Sequence, residues 1–210
     1  MSYGTVIFDL DGTLLDTLGD LTCAVNSALS GFSFPPLTKE EVRARIGDGL
    51  RVLMERCFPE GTDDATITAA MDIFCRYQKE HLFDNTLPYE GVGEMLDTLK
   101  KAGLRLCVAT NKEEFLAERV IEHFYPNVFH AVCGRCDGRR RKPWGDIPMA
   151  ALEGVENTGR VLFIGDYITD LLTAKECGFD FLGVDWGYGD SALLGPLAQN
   201  TTEVLKFILP

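Results

Sequence analysis

Residues 6–16, with the sequence VIFDLDGTLLD, constrain the fold of this chain more than any other segment. The apolar residues 6–8 predict a buried strand, which ends abruptly at Asp9 and Asp11. Side chains two residues apart in an extended segment project to the same side, so both carboxylates should emerge together at the strand end. They repel each other unless a cation or a shared proton intervenes. This strand end is therefore a candidate site for Mg²⁺-assisted chemistry on a phosphate.

A β-hairpin is the alternative structure for the same segment. Asp11 and Gly12 form an Asp-Gly pair between apolar stretches, which is a strong short-range signal for a hairpin turn. The acidic side chains would then be exposed to solvent and would carry no chemistry. Short motifs also match by chance, so the choice depends on the other segments.

Apolar runs and helical patterns alternate through much of the remaining chain. Strands are predicted at 5–9, 104–109, 160–164 and 179–184, and helices are predicted at 112–124, 146–153 and 168–177. This alternation predicts an α/β fold, with a Rossmann-like parallel sheet and helices on both of its faces. A ligand site is expected at the carboxyl ends of the strands.

Residues 16–85 interrupt this alternation and contain no convincing strand. Their amphipathic stretches lie at 17–30, 39–46, 49–57 and 63–83, and Thr38 and Glu41 have the spacing of a capping box. We therefore predict an inserted all-helical cap domain at 16–85. The catalytic core would comprise residues 1–15 and 86–210.

Charge and cysteine usage exclude several classes of protein. The chain carries 20 Lys and Arg against 32 Asp and Glu, a net charge of −12, so no nucleic acid or membrane partner is expected. We find neither a secretion signal nor an apolar run approaching the ~18 residues of a membrane span. The odd number of cysteines, seven, favours free thiols and a cytoplasmic location. A monomer or a dimer is expected.

Polar residues with possible phosphate-binding roles follow the second predicted strand. Thr110 and Asn111 stand where a helix is predicted to open, so backbone N–H groups there could bind a phosphate oxygen. A simple helix cap would explain the threonine equally well. Lys142, which precedes a proline, could supply a point charge for a phosphate or a carboxylate.

Two further acids follow the strand at 160–164. Asp166 comes after Gly165, and Asp170 lies four residues later, on the same face of a helix that would start there. A hard cation with oxygen ligands would relieve the repulsion between the two carboxylates. Alternatively, Asp166 caps the helix and Asp170 is solvated.

Together these segments resemble the haloacid dehalogenase-like hydrolase superfamily. The resemblance rests on DLDGTLLD at 9–16, Thr110, Lys142 and GDYITD at 165–170, in that order, and the helical insert resembles the family's small cap. It implies that Asp9 is the nucleophile and forms an aspartyl-phosphate. It also implies that Asp11 is the general acid and base, with a pKa raised relative to that of Asp9.

The same resemblance implies which residues bind the metal and which stabilise the phosphate. Mg²⁺ would be bound by Asp9, the backbone carbonyl of Asp11 and Asp166, with Asp170 supporting nearby. The phosphate oxygens would be stabilised by Thr110, the backbone of Asn111 and Lys142.

Secondary motifs make the chain resemble the phosphoglycolate phosphatases and their close pyrophosphatase relatives within this superfamily. The motifs are RIGDGL at 45–50, PYEGV at 88–92, ATNK at 109–112 and WGYG at 186–189. They imply a small phosphorylated metabolite as substrate, with 2-phosphoglycolate the first candidate. Two features depart from the family pattern: the segment directly before Lys142, with the sequence CGRCDGRRR, and the bulky Tyr167.

Other functions stay open at this point. A pyrophosphatase and a β-phosphoglucomutase-like phosphotransferase belong to the same superfamily, and a non-catalytic binding or regulatory module is the alternative from another class. Dehalogenation is disfavoured, because Asp11 supplies the acid that a phosphoryl leaving group needs. In the cap, Arg45 and Arg51 flank a turn containing Gly47, and these three residues are candidates for binding a second anionic group of the substrate. Alternatively, both arginines lie on helix surfaces.

Overall fold

The computed structural model describes residues 3–155 and 159–209. The chain divides into two compact units. The core unit comprises residues up to Asp16 and from Pro88 onward, and the helical unit comprises Thr17–Leu87. No helix in the described part of the chain combines the length and the apolar character needed to cross a membrane.

The secondary structure alternates as an α/β chain with one helical block. The strands are β1 (Tyr3–Phe8), β2 (Leu15–Asp16), β3 (Leu87–Pro88), β4 (Arg105–Glu113), β5 (Ala131–Arg135), β6 (Arg160–Gly165), β7 (Asp180–Val184) and β8 (Leu197–Ala198). The helices are α1 (Leu18–Gly31), α2 (Lys39–Arg43), α3 (Leu50–Cys57), α4 (Asp64–Glu80), α5 (Val92–Lys101), α6 (Glu114–Phe124), α7 (Asp146–Ala151), α8 (Ile168–Cys177) and α9 (Thr201–Ile208). A short 3₁₀ helix spans Ser191–Leu193.

A six-stranded sheet organises the core unit, in the order β5-β4-β1-β6-β7-β8. All of its strand pairings are parallel, which confirms the predicted α/β class. Phe8 at the end of β1 pairs in register with Val108 of β4 and Ile164 of β6. The carboxyl ends of β1 and β6 therefore lie side by side, next to Val108 within β4, and the hairpin alternative for residues 6–16 is wrong.

The central strands are apolar because both of their faces are covered. Ile7, Phe8 and Phe163 have no exposed surface, and each side chain of this size stabilises the fold by about 1.5–3 kcal/mol on burial. Close packing around these strands fixes the positions of the strand ends that carry the acids.

Strand β4 is longer than predicted, and this changes the setting of the residues after Ala109. The sequence predicts a helix from residue 112, but β4 continues to Glu113 and α6 begins at Glu114. Neighbouring β5, which the sequence analysis did not predict, pairs with β4 out to Glu113. Gly134 permits this close approach, because a Cβ atom there would lie 2.5 Å from the carbonyl oxygen of Lys112.

The helical unit contains α1 to α4. Apolar residues of α1 recur on one face, and Ala24, Val25 and Ala28 are completely buried. The predicted capping box at the start of α2 is confirmed: the Glu41 amide donates to the Thr38 hydroxyl at 3.2 Å, and the Thr38 amide donates to the Glu41 carboxylate at 2.8 Å. The four helices occupy the stretches predicted from the amphipathic pattern, with α2 ending earlier, at Arg43.

Candidate active site

Three carboxylates converge at the carboxyl ends of β1 and β6. Asp9, Asp166 and Asp170 are buried, and one oxygen of each lies within 4.8 Å of the others. Asp9 follows β1, whereas Asp166 and Asp170 follow β6 and flank the start of α8. Residues far apart in the sequence thus share one site because the two strands are neighbours in the sheet.

Lys142 supplies positive charge to this cluster. Its Nζ donates to Oδ1 of Asp9 at 2.6 Å, to Oδ1 of Asp170 at 2.7 Å and to the carbonyl oxygen of Ala109 at 3.0 Å. The side chain is only 3% exposed. A buried ammonium requires such acceptors, because its own desolvation is otherwise costly.

Asn111 holds the backbone of Lys142 with its side chain. The Lys142 amide donates to Oδ1 of Asn111 at 2.7 Å, and Nδ2 of Asn111 donates to the Lys142 carbonyl at 3.3 Å. The family resemblance implied a role only for the backbone of Asn111, toward the phosphate, and this pair of side-chain bonds was not predicted. Amide side chains can both donate and accept, so an asparagine suits this position.

Hydrogen bonds orient Asp166 and Asp170. Asp166 accepts from the hydroxyl of Thr13 at 2.9 Å and from the amide of Tyr188 at 2.7 Å. Asp170 accepts from the amide of Tyr167 at 3.0 Å, besides its bond from Lys142. Tyr167 is the N-cap of α8 and Asp170 is buried, so the alternative of a capping Asp166 and a solvated Asp170 is wrong.

The cluster holds more negative than positive charge. Burial raises the pKa of Asp9 to about 8; Lys142 acts against this shift, and Asp170 and Asp166 add to it. Burial and the charge of Asp170 raise the pKa of Asp166 to about 6. Burial works to lower the pKa of Lys142, but the carboxylates of Asp170 and Asp9 outweigh it and raise that pKa. This rise in the pKa of Asp9 was not predicted from the sequence.

These properties match the donor set of a hard divalent cation. The cluster offers buried carboxylate oxygens, and its excess negative charge would be neutralised by such an ion. Burial away from water is the main cause of the raised pKa values of Asp9 and Asp166, and repulsion from the neighbouring carboxylates adds to it, so a bound cation would oppose both shifts. The residues present therefore suit a metal such as Mg²⁺.

Comparison with known proteins agrees with this geometry. Residues 6–184 match the sequence family described as haloacid dehalogenase-like hydrolase. The chain belongs to that family. A phosphoglycolate phosphatase of Caulobacter vibrioides is 36% identical over 193 residues, covering 90% of this chain and 81% of the relative. Phosphoglycolate phosphatase 1 of Pseudomonas aeruginosa is 36% identical over 220 residues, covering 98% of this chain and 78% of the relative.

Solved structures agree on the fold. A crystal structure of a protein from Lactobacillus delbrueckii subsp. bulgaricus superimposes with a TM-score of 0.93 at 26% identity, covering 100% of this chain and 99% of the other. A haloacid dehalogenase-like family protein from Streptococcus pneumoniae gives a TM-score of 0.86 at 22% identity, with 98% of both chains covered. The parallel sheet described above is thus the fold of the haloacid dehalogenase-like hydrolases.

Asp11 and Lys112 form a second ion pair in this hydrolase. Nζ of Lys112 lies 3.2 Å from Oδ1 and 3.4 Å from Oδ2 of Asp11. The Lys112 side chain is 5% exposed and that of Asp11 is 21% exposed. Lys112 belongs to the ATNK motif, but no role was predicted for it from the sequence. Its place directly after Thr110 and Asn111 was the available signal.

Thr110 is buried beside this pair on β4. Its hydroxyl oxygen accepts a hydrogen bond from the Lys112 amide at 3.2 Å. The expectation that Thr110 stands at a helix N-terminus is wrong, because β4 runs on to Glu113. Any binding of phosphate by Thr110 would use its hydroxyl and strand backbone rather than a helix dipole.

The WGYG loop, residues 186–189, packs directly on Asp166. Nε1 of Trp186 donates to the carbonyl of Thr13 at 3.1 Å, and the Tyr188 hydroxyl donates to Asp16 at 2.9 Å. A Cβ atom on Gly187 would lie 2.2 Å from Cβ of Asp166, so a glycine is required for this approach. From the sequence, this motif indicated only a resemblance to the family, and its contact with Asp166 was not predicted.

The segment before Lys142 is fastened by local ion pairs. Arg139 pairs with Glu114 of α6, and Arg140 pairs with Asp146 of α7 at 2.7 Å. These contacts attach the segment before Lys142, whose sequence departs from the family pattern, to α6 and α7 of the core unit. All seven cysteines of the chain, including Cys133 and Cys136, are free thiols.

The candidate residues of the cap lie in the helical unit, where both arginines have local acceptors. Arg45 donates to the carbonyl oxygens of Arg56, at 3.0 Å, and Glu41. Arg51 pairs with Glu55 at 3.0 Å and with Asp64. Gly47 adopts a positive φ of 115° in the intervening turn. A role for Arg45, Gly47 and Arg51 toward substrate stays a prediction.

Proposed function

We propose that this hydrolase is a Mg²⁺-dependent phosphatase of small phosphate monoesters, with 2-phosphoglycolate as its first candidate substrate. One observation carries the proposal: Asp9, Asp166, Asp170 and Lys142 meet at the carboxyl ends of two central parallel strands. The Caulobacter and Pseudomonas relatives named phosphoglycolate phosphatase support the choice of substrate.

Asp9 is the proposed nucleophile. A carboxylate oxygen of Asp9 attacks the phosphorus in line with the departing ester oxygen, so a P–O bond to Asp9 forms as the P–O bond to the leaving group breaks. Lys142 orients Asp9 through its 2.6 Å hydrogen bond. When bound, Mg²⁺ would neutralise charge on the phosphate and on Asp9, with Asp166, Asp170 and the backbone carbonyl of Asp11 around it.

Asp11 is the proposed proton carrier. In the first step it gives a proton to the leaving ester oxygen, and in the second it takes a proton from the water that attacks the aspartyl-phosphate. The second step releases inorganic phosphate and regenerates the carboxylate of Asp9. Thr110, the backbone of Asn111 and Lys142 would stabilise the negative charge on the phosphate oxygens.

A phosphatase assay with and without Mg²⁺ tests the proposal. Wild type should hydrolyse p-nitrophenyl phosphate and 2-phosphoglycolate only with Mg²⁺, and Asp9→Asn should reduce kcat by at least about 10³-fold, because the nucleophile is lost. Asp97→Asn, at an exposed position of α5, is the matched control and should retain wild-type activity.

The same assay separates the alternative functions. Preferential release of phosphate from pyrophosphate would favour a pyrophosphatase, and transfer to a sugar phosphate without net hydrolysis would favour a phosphotransferase. Folded wild-type protein that turns over no member of a panel of phosphorylated metabolites would contradict the proposal. That result would favour a non-catalytic binding module.

A further inference from the structure

The ion pair of Lys112 and Asp11 contains a cation that the proposed mechanism does not use. Its ammonium is almost fully withdrawn from water and contacts both carboxylate oxygens of Asp11. Lys142, in contrast, is already bound to two carboxylates of the acidic cluster, Asp9 and Asp170. The two lysines thus serve different parts of the site.

The position of Lys112 places positive charge beside the leaving group. In the proposed reaction the carboxyl of Asp11 contacts the ester oxygen of the substrate, so a cation held on Asp11 lies next to whatever that oxygen carries. Once Asp11 has given its proton to the ester oxygen, its carboxylate alone would repel a carboxylate on the leaving group. Lys112 reverses that interaction, because its ammonium can bind a second carboxylate with a charge-assisted hydrogen bond. A neutral leaving group would gain nothing comparable.

We propose that Lys112 determines specificity by binding the carboxylate of a phosphate monoester whose leaving group is a small hydroxy acid. This inference rests on the proposed phosphatase function and assigns carboxylate recognition to the core unit. It is consistent with the contacts of Arg45 and Arg51, whose guanidinium groups are bound to carbonyl and carboxylate oxygens within the helical unit.

A pair of matched substrates tests this role. 2-Phosphoglycolate and 2-hydroxyethyl phosphate differ only in whether the leaving group ends in a carboxylate or a neutral alcohol. The measured quantity is the ratio of kcat/KM for the two in wild type and in Lys112→Met. Any general damage to Asp11 affects both substrates and cancels in the ratio.

We expect wild type to prefer 2-phosphoglycolate and Lys112→Met to lose roughly 10- to 150-fold of that preference, the range for one hydrogen bond to a charged group. Lys112→Arg keeps the charge and should keep most of the preference. Lys101→Met, at an exposed position of α5, removes a lysine elsewhere and should leave the ratio unchanged. If Lys112→Met does not fold, Lys112→Gln takes its place.

The outcomes separate this inference from the proposed function. An unchanged ratio in a folded Lys112→Met variant, or a wild type that favours the neutral substrate, would overturn the role of Lys112 and leave the phosphatase intact. Wild-type protein that hydrolyses neither substrate with Mg²⁺ would overturn both.

Discussion

At the scale of single residues, the site depends on side chains that hold other side chains in place. Asn111 fixes the backbone of Lys142, and the hydroxyl of Thr13 donates to Asp166. Neither residue is charged, yet each sets the position of a charged group. Groups that orient a metal ligand typically change metal affinity or activity by about 10- to 100-fold when they are removed.

Thr13→Val should therefore weaken the binding of the proposed Mg²⁺. The substitution removes the hydrogen bond to Asp166 at nearly constant volume, so we expect the Mg²⁺ concentration for half-maximal activity to rise by about tenfold. Titrating activity against Mg²⁺ measures this directly. Thr13→Ser keeps the hydroxyl and should behave like wild type; equal Mg²⁺ requirements in Thr13→Val and wild type would remove Thr13 from this role.

At the scale of elements, the site is shaped by a loop without regular secondary structure and by a strand that is longer than predicted. The loop at 186–189 packs its backbone on Asp166, and β4 extends past Thr110 to Glu113. The extension carries Lys112 in strand geometry, where its ammonium reaches Asp11. A helix starting at residue 112 would have placed that side chain differently.

Gly187→Ala should displace Asp166 while leaving most of the fold intact. The new methyl group would overlap Cβ of Asp166, so the loop at 186–189 and Asp166 must move apart. We expect kcat/KM at limiting Mg²⁺ to fall by about 10-fold or more, with a loss of about 1–3 kcal/mol in the free energy of unfolding. Urea unfolding and Mg²⁺-dependent kinetics measure the two effects.

Gly93→Ala provides the control for that substitution. Gly93 lies in α5, and a Cβ atom there would have no neighbour within 4 Å. Because alanine is the better helix former, this variant should be unchanged or more stable by up to about 1 kcal/mol. If Gly187→Ala behaved in the same way, the loop would have no positioning role.

At the scale of the whole molecule, the buried acids link folding to pH and to the binding of the proposed Mg²⁺. Without a cation, Asp9 retains a proton in the folded protein up to a pH of about 8, whereas in the unfolded chain it loses that proton near its ordinary value of 3.8. The folded state thus binds more protons between these pH values, and the stability of the metal-free protein falls as the pH rises through this window.

Thermal unfolding at several pH values tests this linkage. In EDTA, Tm should decrease between about pH 5 and pH 8, and Asp9→Asn should show a weaker decrease because its amide does not titrate. Mg²⁺ at a hundredfold excess over its Kd should stabilise the folded state by about 2.7 kcal/mol, most effectively at the higher pH. The linkage would be contradicted if Tm rose with pH in EDTA, or if Mg²⁺ left Tm unchanged at pH 8.

Much of the site could be predicted from the sequence because its acids sit at strand ends. One apolar run stops at Asp9, and another stops at Gly165, just before Asp166. These patterns indicate buried parallel strands with a ligand site at their carboxyl ends, without any knowledge of the fold. Local signals also located the capping box at Thr38, since that motif needs only four residues.

The remaining features depend on contacts between distant segments. Gly134 of β5 allows β4 to extend, Asn111 reaches across 31 residues to Lys142, and the loop at 186–189 covers an acid at the end of β6. None of these follows from periodicity or from a spacing along the chain. The amino-acid sequence by itself determined the α/β class, the strands that end in Asp9 and before Asp166, and the helical block between them, because those are local properties of hydrophobic pattern and charge. Only the tertiary structure decided which polar groups hold those acids, because a hydrogen bond depends on where distant backbones meet.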